Sequence, residues 1–410
     1  MTESLPITAP TDPAGTRPFR RHVFYIPGYD PIHPRRYREL YRKEGAEQAA
    51  ISGYALSLQP KTTPGTYGWH VTGIDGTETD VEVLVWSDIV RSSMQQGILA
   101  TYLQLIRTAA AYILTGALFR LMRLRKGPMI AALYPIGMLL LQLALALLAA
   151  YATYRLGALL HPAPALLAAL TVAVLILRAF RQQDHRLYAY YLMHDYAYAA
   201  QSLGAYPPAL EDRMATFRAA IAARMTRDLD EVLIVGHSSG AHLAVSILAD
   251  LIRQGPPSVR PALAFLSLGQ VVPMISFLPR ANRLRADLRY LSARDEITWV
   301  DVTAPGDGCA FALCDPVSVT GVAPENKRWP LVLSAAFTQT LSPERWKYLR
   351  WRFFRLHFQY LCAFDALSGG PGDYDYFQIT AGPQTLQDRY KNRAPSKSRV
   401  ETPRSGYTAT

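Results

Sequence analysis

One feature constrains this sequence more than any other: from Gly127 to Tyr154 there are 28 consecutive residues without a charged side chain. An α-helix rises about 1.5 Å per residue, so this run would extend about 42 Å, whereas the hydrocarbon core of a bilayer is about 30 Å thick. A second apolar run, Ala163 to Phe180, follows a short connection, and its only charge, Arg178, is close enough to the end to reach the lipid headgroups. The two runs predict a helical hairpin with membrane spans at about residues 128–154 and 163–180.

Basic residues lie at both outer ends of the predicted hairpin. Those before the first span are Arg120, Arg123, Arg125 and Lys126, those at or just after the end of the second are Arg178, Arg181 and Arg186, and the connecting loop contains only Arg155. Because the cytoplasmic flanks of membrane spans are enriched in Lys and Arg, both ends are expected to face the cytoplasm. The alternative is a helical lid that packs on the rest of the protein, since such a lid would also be apolar and helical.

The charge balance favours an anionic partner. The net charge is +11, 50% of the residues are hydrophobic and 18% are charged, and much of the positive charge lies beside the hairpin and in the C-terminal segment. Membrane lipids fit those positions better than nucleic acid, because no zinc-finger spacing, heptad repeat or aromatic RNA-binding motif accompanies the charge. The three cysteines, Cys309, Cys314 and Cys362, are too few for a disulfide framework, so we expect buried free thiols in a reducing compartment.

Outside the hairpin, short apolar runs alternate with helical patterns. This alternation predicts the α/β fold class, with a mostly parallel sheet and helices on both faces, interrupted by the helical transmembrane hairpin. Both ends of the chain contain few large apolar side chains, which is typical of disorder. The predicted organisation is a disordered N-terminus at 1–19, a first part of the α/β domain at 20–96, the hydrophobic helical insertion at 97–184, a second part of the α/β domain at 185–385, and a basic disordered tail at 386–410.

The pentapeptide Gly236-His237-Ser238-Ser239-Gly240 stands between an apolar run at 231–235 and a helical pattern at 241–252. A sharp strand-to-helix turn that exposes a serine hydroxyl leaves no room for Cβ atoms on either side, so glycines flank the serine in such G-x-S-x-G motifs. By chance the pentapeptide would occur in roughly one chain in ten of this length. Because the pentapeptide stands between a predicted strand and a predicted helix, we infer that Ser238 is a candidate nucleophile.

At this motif the chain resembles the α/β-hydrolase superfamily, the esterase- and lipase-like serine hydrolases in which the serine is followed in the sequence by an acid and then by a histidine. The resemblance covers residues 22–30 and most of 230–360. It implies a hydrolase fold for the predicted α/β domain and a Ser-His-Asp triad.

The expected acid is Asp307, in a loop after the predicted strand at 297–302, and the alternatives are Asp301 and Asp315. The expected base is His357, because it is the only histidine that follows. His237 and His242 do not fit the family's order. Imidazole titrates near neutral pH, so it can accept the serine proton and return it, while the carboxylate fixes the tautomer and stabilises the imidazolium.

The resemblance also implies two backbone donors for an oxyanion. One is the N–H of Ser239, directly after the nucleophile, and the other is the N–H of Tyr29, in the turn after the first strand, where Pro27 stands in place of a histidine common in the family. The sequence contains no phosphate-binding glycine loop and no cluster with metal-ligand spacing, so we expect no cofactor and no metal. A tyrosine series is interpreted as helix packing or a membrane-interface belt; its members are Tyr188, Tyr190, Tyr191, Tyr196 and Tyr198.

Together these patterns favour a membrane-anchored serine hydrolase that cleaves an ester or thioester of an amphiphilic, lipid-like acyl substrate near the cytoplasmic face of the membrane. The expected partners are membrane lipids and the acyl ester substrate, with no nucleic acid. The alternative is a catalytically silent interaction protein that keeps the hydrolase fold and the membrane anchor.

Overall fold

The computed structural model of the protein describes residues 17–61, 63–255, 261–369 and 373–407. The strands within them are β1 Arg20–Ile26, β2 Ser57–Pro60, β3 Gly68–Thr72, β4 Glu78–Val83, β5 Glu231–His237, β6 Ala262–Leu268, β7 Thr298–Thr303 and β8 Leu331–Ser334. They form one sheet in the order β2-β3-β4-β1-β5-β6-β7-β8. Neighbouring strands are parallel except at β3, which runs antiparallel to β2 and β4.

The connections between the strands are largely helical. The helices are α1 Arg35–Ser52, α2 Ser87–Met94, α3 Ile98–Leu114, α4 Ala117–Leu121, α5 Lys126–Gly157, α6 Pro162–Gln182, α7 Asp184–Leu187, α8 Ala189–Ala200, α9 Pro208–Ala222, α10 Gly240–Arg253, α11 Val272–Ser276, α12 Asn282–Leu291, α13 Pro316–Thr320, α14 Phe337–Thr340, α15 Pro343–Leu349, α16 Phe353–His357, α17 Tyr376–Ala381 and α18 Leu386–Tyr390, with 3₁₀ turns at Ile74–Gly76 and Gln359–Leu361. The predicted α/β architecture with a mostly parallel sheet is confirmed at this level.

β1 and β5 lie side by side in the centre of the sheet, with Val23 opposite Leu233. Phe24 and Ile234 belong to the hydrophobic core that contains α10, whereas Val23 and Leu233 belong to the core that contains α17. Both strands are therefore buried on both faces, which explains why their sequences are continuous apolar runs rather than alternating ones.

The strand order reverses between β1 and β5. From β1 the chain continues to β2, β3 and β4 on one side, and from β5 it continues through β6, β7 and β8 on the other. Such a reversal in an open α/β sheet leaves a crevice at the carboxyl ends of the two strands, where ligands commonly bind. Residues 27–30 and 238–240 leave these two strand ends.

The hydrophobic insertion forms a helical pair, α5 and α6, whose bounds agree with the predicted spans to within a few residues. Both helices are long and apolar enough to cross a membrane. Only 22% of the apolar stretch of α5 and 11% of that of α6 are buried within the protein. A lid packed on the protein would bury its apolar face, whereas Leu148, Leu167 and Leu175 are more than half exposed. α2 and α3 are long and apolar enough to cross a membrane only if they are counted as one helix, and the chain bends by 105° between them.

The amino-terminal part of α5 is anchored on the α/β domain. The Tyr134 hydroxyl donates a hydrogen bond to the carbonyl of Leu187 at 2.7 Å, and a Cβ atom at Gly127 would lie 3.2 Å from Cα of Gly308. α5 has 32 residues and α6 has 21, a difference that corresponds to about 16 Å of helix. The extra length of α5 is thus the part that contacts the domain.

The C-terminal segment differs from the predicted disordered tail at 386–410. Leu386 and Tyr390 are buried, and Val400 pairs with Cys314 in a β-bridge. The prediction was wrong because it averaged the composition over the whole segment. A few well-placed apolar side chains and backbone hydrogen bonds fix an extended segment on a preformed surface. Positions 408–410 lie outside the described residues.

Of the predicted disordered N-terminus at 1–19, positions 1–16 lie outside the described residues. Arg17 is described, and its guanidinium pairs with the carboxylate of Asp230 at 2.7 Å. Contacts with the domain therefore begin before β1.

Candidate active site

Ser238 occupies a sharp turn between β5 and α10. Its φ of +55° lies in the left-handed region, a costly conformation for a residue with a Cβ atom. The flanking glycines are required by space: a Cβ atom at Gly240 would lie 2.1 Å from the carbonyl oxygen of Ile26, and one at Gly236 would lie 2.8 Å from Cα of Ala241. The G-x-S-x-G pentapeptide thus forms the strained strand-to-helix turn that such motifs adopt.

Asp307 and His357 form a buried pair. Nδ1 of His357 lies 2.7 Å from Oδ2 of Asp307, and the same carboxylate accepts hydrogen bonds from the hydroxyl of Tyr360 at 3.0 Å and the N–H of Cys309 at 2.9 Å. Burial alone would raise the pKa of the Asp307 carboxyl, but the charge and hydrogen bond of His357, together with these two donors, lower it below its ordinary value. An ionised Asp307 holds the proton on Nδ1, which leaves Nε2 of His357 as the basic nitrogen.

The strand ends bring this pair to the serine. Ser238 and His357 line the same cavity, and the backbone N–H of Ser238 donates to the carbonyl of Leu268 at the end of β6. The next residue, Gly269, has a φ of +54°, and a Cβ atom there would lie 3.0 Å from Cε1 of His357. The three predicted triad residues are therefore gathered at the carboxyl edge of the sheet.

His237 contacts the candidate base, His357, and holds its backbone. Its ring centroid is 4.9 Å from that of His357, and its Nε2 lies 3.0 Å from the carbonyl oxygen of His357. Burial, reinforced by the nearby charge of His357, lowers the pKa of His237 to about 3. The ring is thus neutral near pH 7, and its Nε2–H donates to that carbonyl.

The other candidates from the sequence have different roles. Asp301 lies within β7, accepts a hydrogen bond from the hydroxyl of Ser267 at 2.6 Å, and has a pKa that burial raises to about 8. Asp315 caps α13 through two backbone N–H groups and pairs with Lys327 at 2.5 Å. His242 stacks on Tyr206, and burial lowers its pKa to about 3.

The two expected oxyanion donors line the cavity with Ser238. Within the described residues, the N–H groups of Tyr29 and Ser239 donate to no carbonyl and to no side chain. The turn that carries Tyr29 is held in place, since the Pro27 carbonyl accepts from Nε1 of Trp86 at 2.9 Å. A Cβ atom at Gly28 would lie 2.9 Å from Cβ of Ser238, so only glycine lets this turn approach the serine.

Part of the tyrosine series forms a wall of the cavity, which sequence reasoning missed. Tyr191, Tyr196 and Tyr198 of α8 line it, and the Tyr191 hydroxyl donates to the carbonyl of Tyr29 at 2.5 Å. Tyr190 instead packs in a small core with α3 and α5. The interpretation as helix packing thus holds for Tyr190 and is incomplete for Tyr191, Tyr196 and Tyr198.

Asp195 of α8 also lines the cavity and was not singled out from the sequence. Its carboxyl has no hydrogen-bond partner in the described part of the chain, and burial raises its pKa to about 7 although the charge of His357 opposes the shift. The titratable groups of the cavity that interact with it electrostatically are Tyr29, Tyr112, Tyr191, Tyr196, Cys309 and His357. The spacing of residues 191, 195 and 198 puts all three on one face of a helix, and this signal could have identified the wall.

The site also contains a set of potential metal ligands. One ligand atom each from Asp307, Cys309 and His357 lies within 4.8 Å of the others. Two of these groups already bond each other, and burial holds the pKa of the Cys309 thiol well above its ordinary value, which disfavours the thiolate that a metal requires. The chemistry of this donor set fits a proton relay better than a metal centre.

No protein-family model matches the chain, and neither does any curated protein or any solved structure.

Proposed function

We propose that this protein is a serine hydrolase of the α/β-hydrolase type that cleaves an ester or thioester of an amphiphilic acyl substrate. One observation carries the proposal: His357, which is paired with the buried Asp307, and the left-handed Ser238 line one cavity, beside two backbone N–H groups that have no partner in the described residues. A nucleophile, a base with an orienting acid, and oxyanion donors are the parts that acyl transfer requires.

In the proposed reaction, Oγ of Ser238 attacks the acyl carbon while its proton passes to Nε2 of His357. The negative charge that develops on the acyl oxygen is stabilised by the N–H groups of Tyr29 and Ser239. The C–O or C–S bond to the leaving group then breaks, and His357 gives its proton to that group. A water molecule attacks the acyl-enzyme in the same way, which releases the carboxylic acid and restores Ser238.

The membrane location is part of the proposal. α5 and α6 have the length and composition of membrane spans, and basic residues flank their outer ends, which favours a cytoplasmic catalytic domain. The amino-terminal end of α5 packs against the loop that carries Asp307, through Gly127 and Gly308. An acyl chain that leaves the bilayer at this end of α5 would be close to Ser238.

A fluorophosphonate probe tests the proposal, because it reacts with a serine only when a base activates it. We expect covalent labelling of the purified full-length protein, no labelling of the Ser238→Ala variant, and unchanged labelling of Ser92→Ala, which alters an exposed serine of α2. If folded wild-type protein remains unlabelled, the catalytically silent interaction protein becomes the better description. Hydrolysis of small water-soluble esters with no gain on detergent-dispersed lipids would argue against the amphiphilic substrate.

A further inference from the structure

The segment that leads to His357 has an unusual surface, formed by residues 347–355, which we call the rim segment. Tyr348 is 51% exposed, Trp351 is 72% exposed and Phe353 is 49% exposed. Soluble surfaces seldom expose three large aromatic side chains within six residues. Aromatic side chains of this type are enriched where proteins meet the headgroup region of a bilayer.

The charge of the rim segment is entirely positive. Its basic residues are Lys347, Arg350, Arg352 and Arg355, and the sequence contains no Asp or Glu from 345 to 364. None of the four forms an ion pair within the described residues. Three of them contact the aromatic side chains instead: the guanidinium groups of Arg352 and Arg350 lie 3.7 Å and 5.6 Å from the ring centroids of Tyr348 and Trp351, and Arg355 donates to the Tyr348 hydroxyl at 2.6 Å.

The rim segment also contacts residues that lie close to the two outer ends of the helical hairpin. On one side, the Phe354 ring lies 4.6 Å from that of Tyr188, which directly follows α7 at the end of α6. On the other side, a Cβ atom at Gly308 would lie 3.3 Å from Cδ1 of Phe353, and Gly308 is the residue that Gly127 of α5 approaches. The segment therefore lies close to the two positions where the chain would enter and leave the membrane.

The rim segment is at the same time part of the mouth of the cavity. Phe354 lines the cavity with Ser238 and His357, while the neighbouring Phe353 faces outward. A surface that binds the rim segment would thus lie directly at the entrance to the candidate active site.

We propose that the rim segment is a docking surface for an anionic bilayer, in which the aromatic side chains enter the headgroup region and the four cations bind lipid phosphates or carboxylates. The positive charge without acidic neighbours, the exposed aromatic side chains and the position close to both ends of the hairpin all match that single occupant. Its consequence for catalysis, delivery of the acyl substrate into the cavity, rests on the proposed function, whereas the docking itself does not.

The test uses the full-length protein with Trp351→Cys carrying an NBD fluorophore, reconstituted into phosphatidylcholine vesicles with or without 30% phosphatidylserine. We expect a blue-shifted emission and quenching by headgroup-labelled lipid in the anionic vesicles, and a loss of both in 0.5 M NaCl. Arg350→Gln with Arg352→Gln should lower the docked-to-undocked ratio by about 25-fold, since each basic residue contributes about five-fold at such a surface. The control is Ile51→Cys with the same fluorophore, on an exposed apolar position of α1, and its emission should not change.

Emission from position 351 that remains water-like in the anionic vesicles would overturn the proposal, and an acidic protein partner would produce that result. Loss of the signal must be separated from loss of catalysis. The double Arg variant should keep its rate on a small water-soluble ester and lose rate only on vesicle-borne substrate. If Ser238 fails to react with fluorophosphonate while the NBD signal responds to anionic lipid, then the proposed hydrolase function fails and the docking surface stands.

Discussion

Nε2 of His237 lies 3.0 Å from the carbonyl oxygen of His357, so the residue beside the candidate nucleophile holds the segment that carries the candidate base. The bond joins β5 to α16 across 120 residues of sequence. It makes the distance between serine and imidazole depend on a ring that does no proton transfer itself.

Replacement of His237 by Phe should therefore lower kcat. The substitution removes the donor and leaves a buried carbonyl without a partner, which costs about 1–3 kcal/mol of unfolding free energy. We expect kcat to fall at least about ten-fold, because small displacements of catalytic groups have large effects on rate. Steady-state kinetics and thermal unfolding in detergent measure the two effects. The matched control is the exposed His185→Phe, and an unchanged kcat in His237→Phe would reduce His237 to a packing residue.

Substitutions of two buried aspartates test which of them is the acid of the proposed triad. Asp307→Asn should lower kcat by about 10³–10⁴-fold, because the amide no longer fixes the His357 tautomer or stabilises the imidazolium. Asp301→Asn should keep nearly full activity, since burial raises the pKa of Asp301 to about 8 and an amide resembles the neutral acid. Fluorophosphonate labelling rates and kcat provide the comparison. If Asp301→Asn instead lowers kcat far more than Asp307→Asn does, the acid is Asp301 of β7.

Gly28→Ala tests the turn that carries the Tyr29 N–H. The added methyl would lie 2.9 Å from Cβ of Ser238 and 3.3 Å from the carbonyl oxygen of His237, so the turn must shift away from the serine. We expect at least a 100-fold lower kcat, the usual effect of one lost oxyanion donor. Gly97→Ala is the control, because nothing lies within 4 Å of the added atom. Normal turnover by Gly28→Ala would place the second donor elsewhere.

Asp195→Asn should change how stability depends on pH. A carboxyl whose pKa rises from 3.8 to about 7 on folding binds more protons in the folded state between these values. Its contribution to unfolding free energy therefore falls as pH rises through this window. The Asn side chain does not titrate, so the variant does not lose this stability. Its unfolding free energy should therefore exceed that of the wild type by an amount that grows from pH 4 to pH 8, with an upper limit of about 4 kcal/mol. Melting temperatures in detergent across this range measure it, and a constant difference would contradict an unpartnered Asp195.

Cysteine accessibility tests the membrane topology. In a background without the three native cysteines, Leu160→Cys lies at the tip of the hairpin, where Leu160 is 92% exposed, and Arg186→Cys lies beyond α6. A membrane-impermeant maleimide should label position 160 in intact cells and position 186 only after permeabilisation, because basic flanks remain in the cytoplasm. Labelling of both positions from one side would show that the hairpin does not span.

The sequence predicts the parts of the site that depend on chain order and local sterics. The elbow at Ser238 follows from two glycines, and the order of acid and histidine identified the Asp307–His357 pair that lies at 2.7 Å. The short strand β8 was not predicted, because four residues carry too little pattern. Asp195 was missed because its role depends on which face of α8 turns toward the cavity, and that is decided by packing against α3 and α5.

The helical hairpin of α5 and α6 interrupts a single sheet: β1 to β4 precede it in the chain, and β5 to β8 follow it. β1 has hydrogen bonds to β5 along its length, with Val23 opposite Leu233, so half of the strand's pairing waits until more than 200 further residues have been synthesised. During translation the first four strands would present an open edge while α5 and α6 are being inserted. A failure of insertion would therefore be a folding defect of the whole α/β domain, and the cell would encounter it as an aggregation-prone half-sheet rather than as a mislocalised but folded protein.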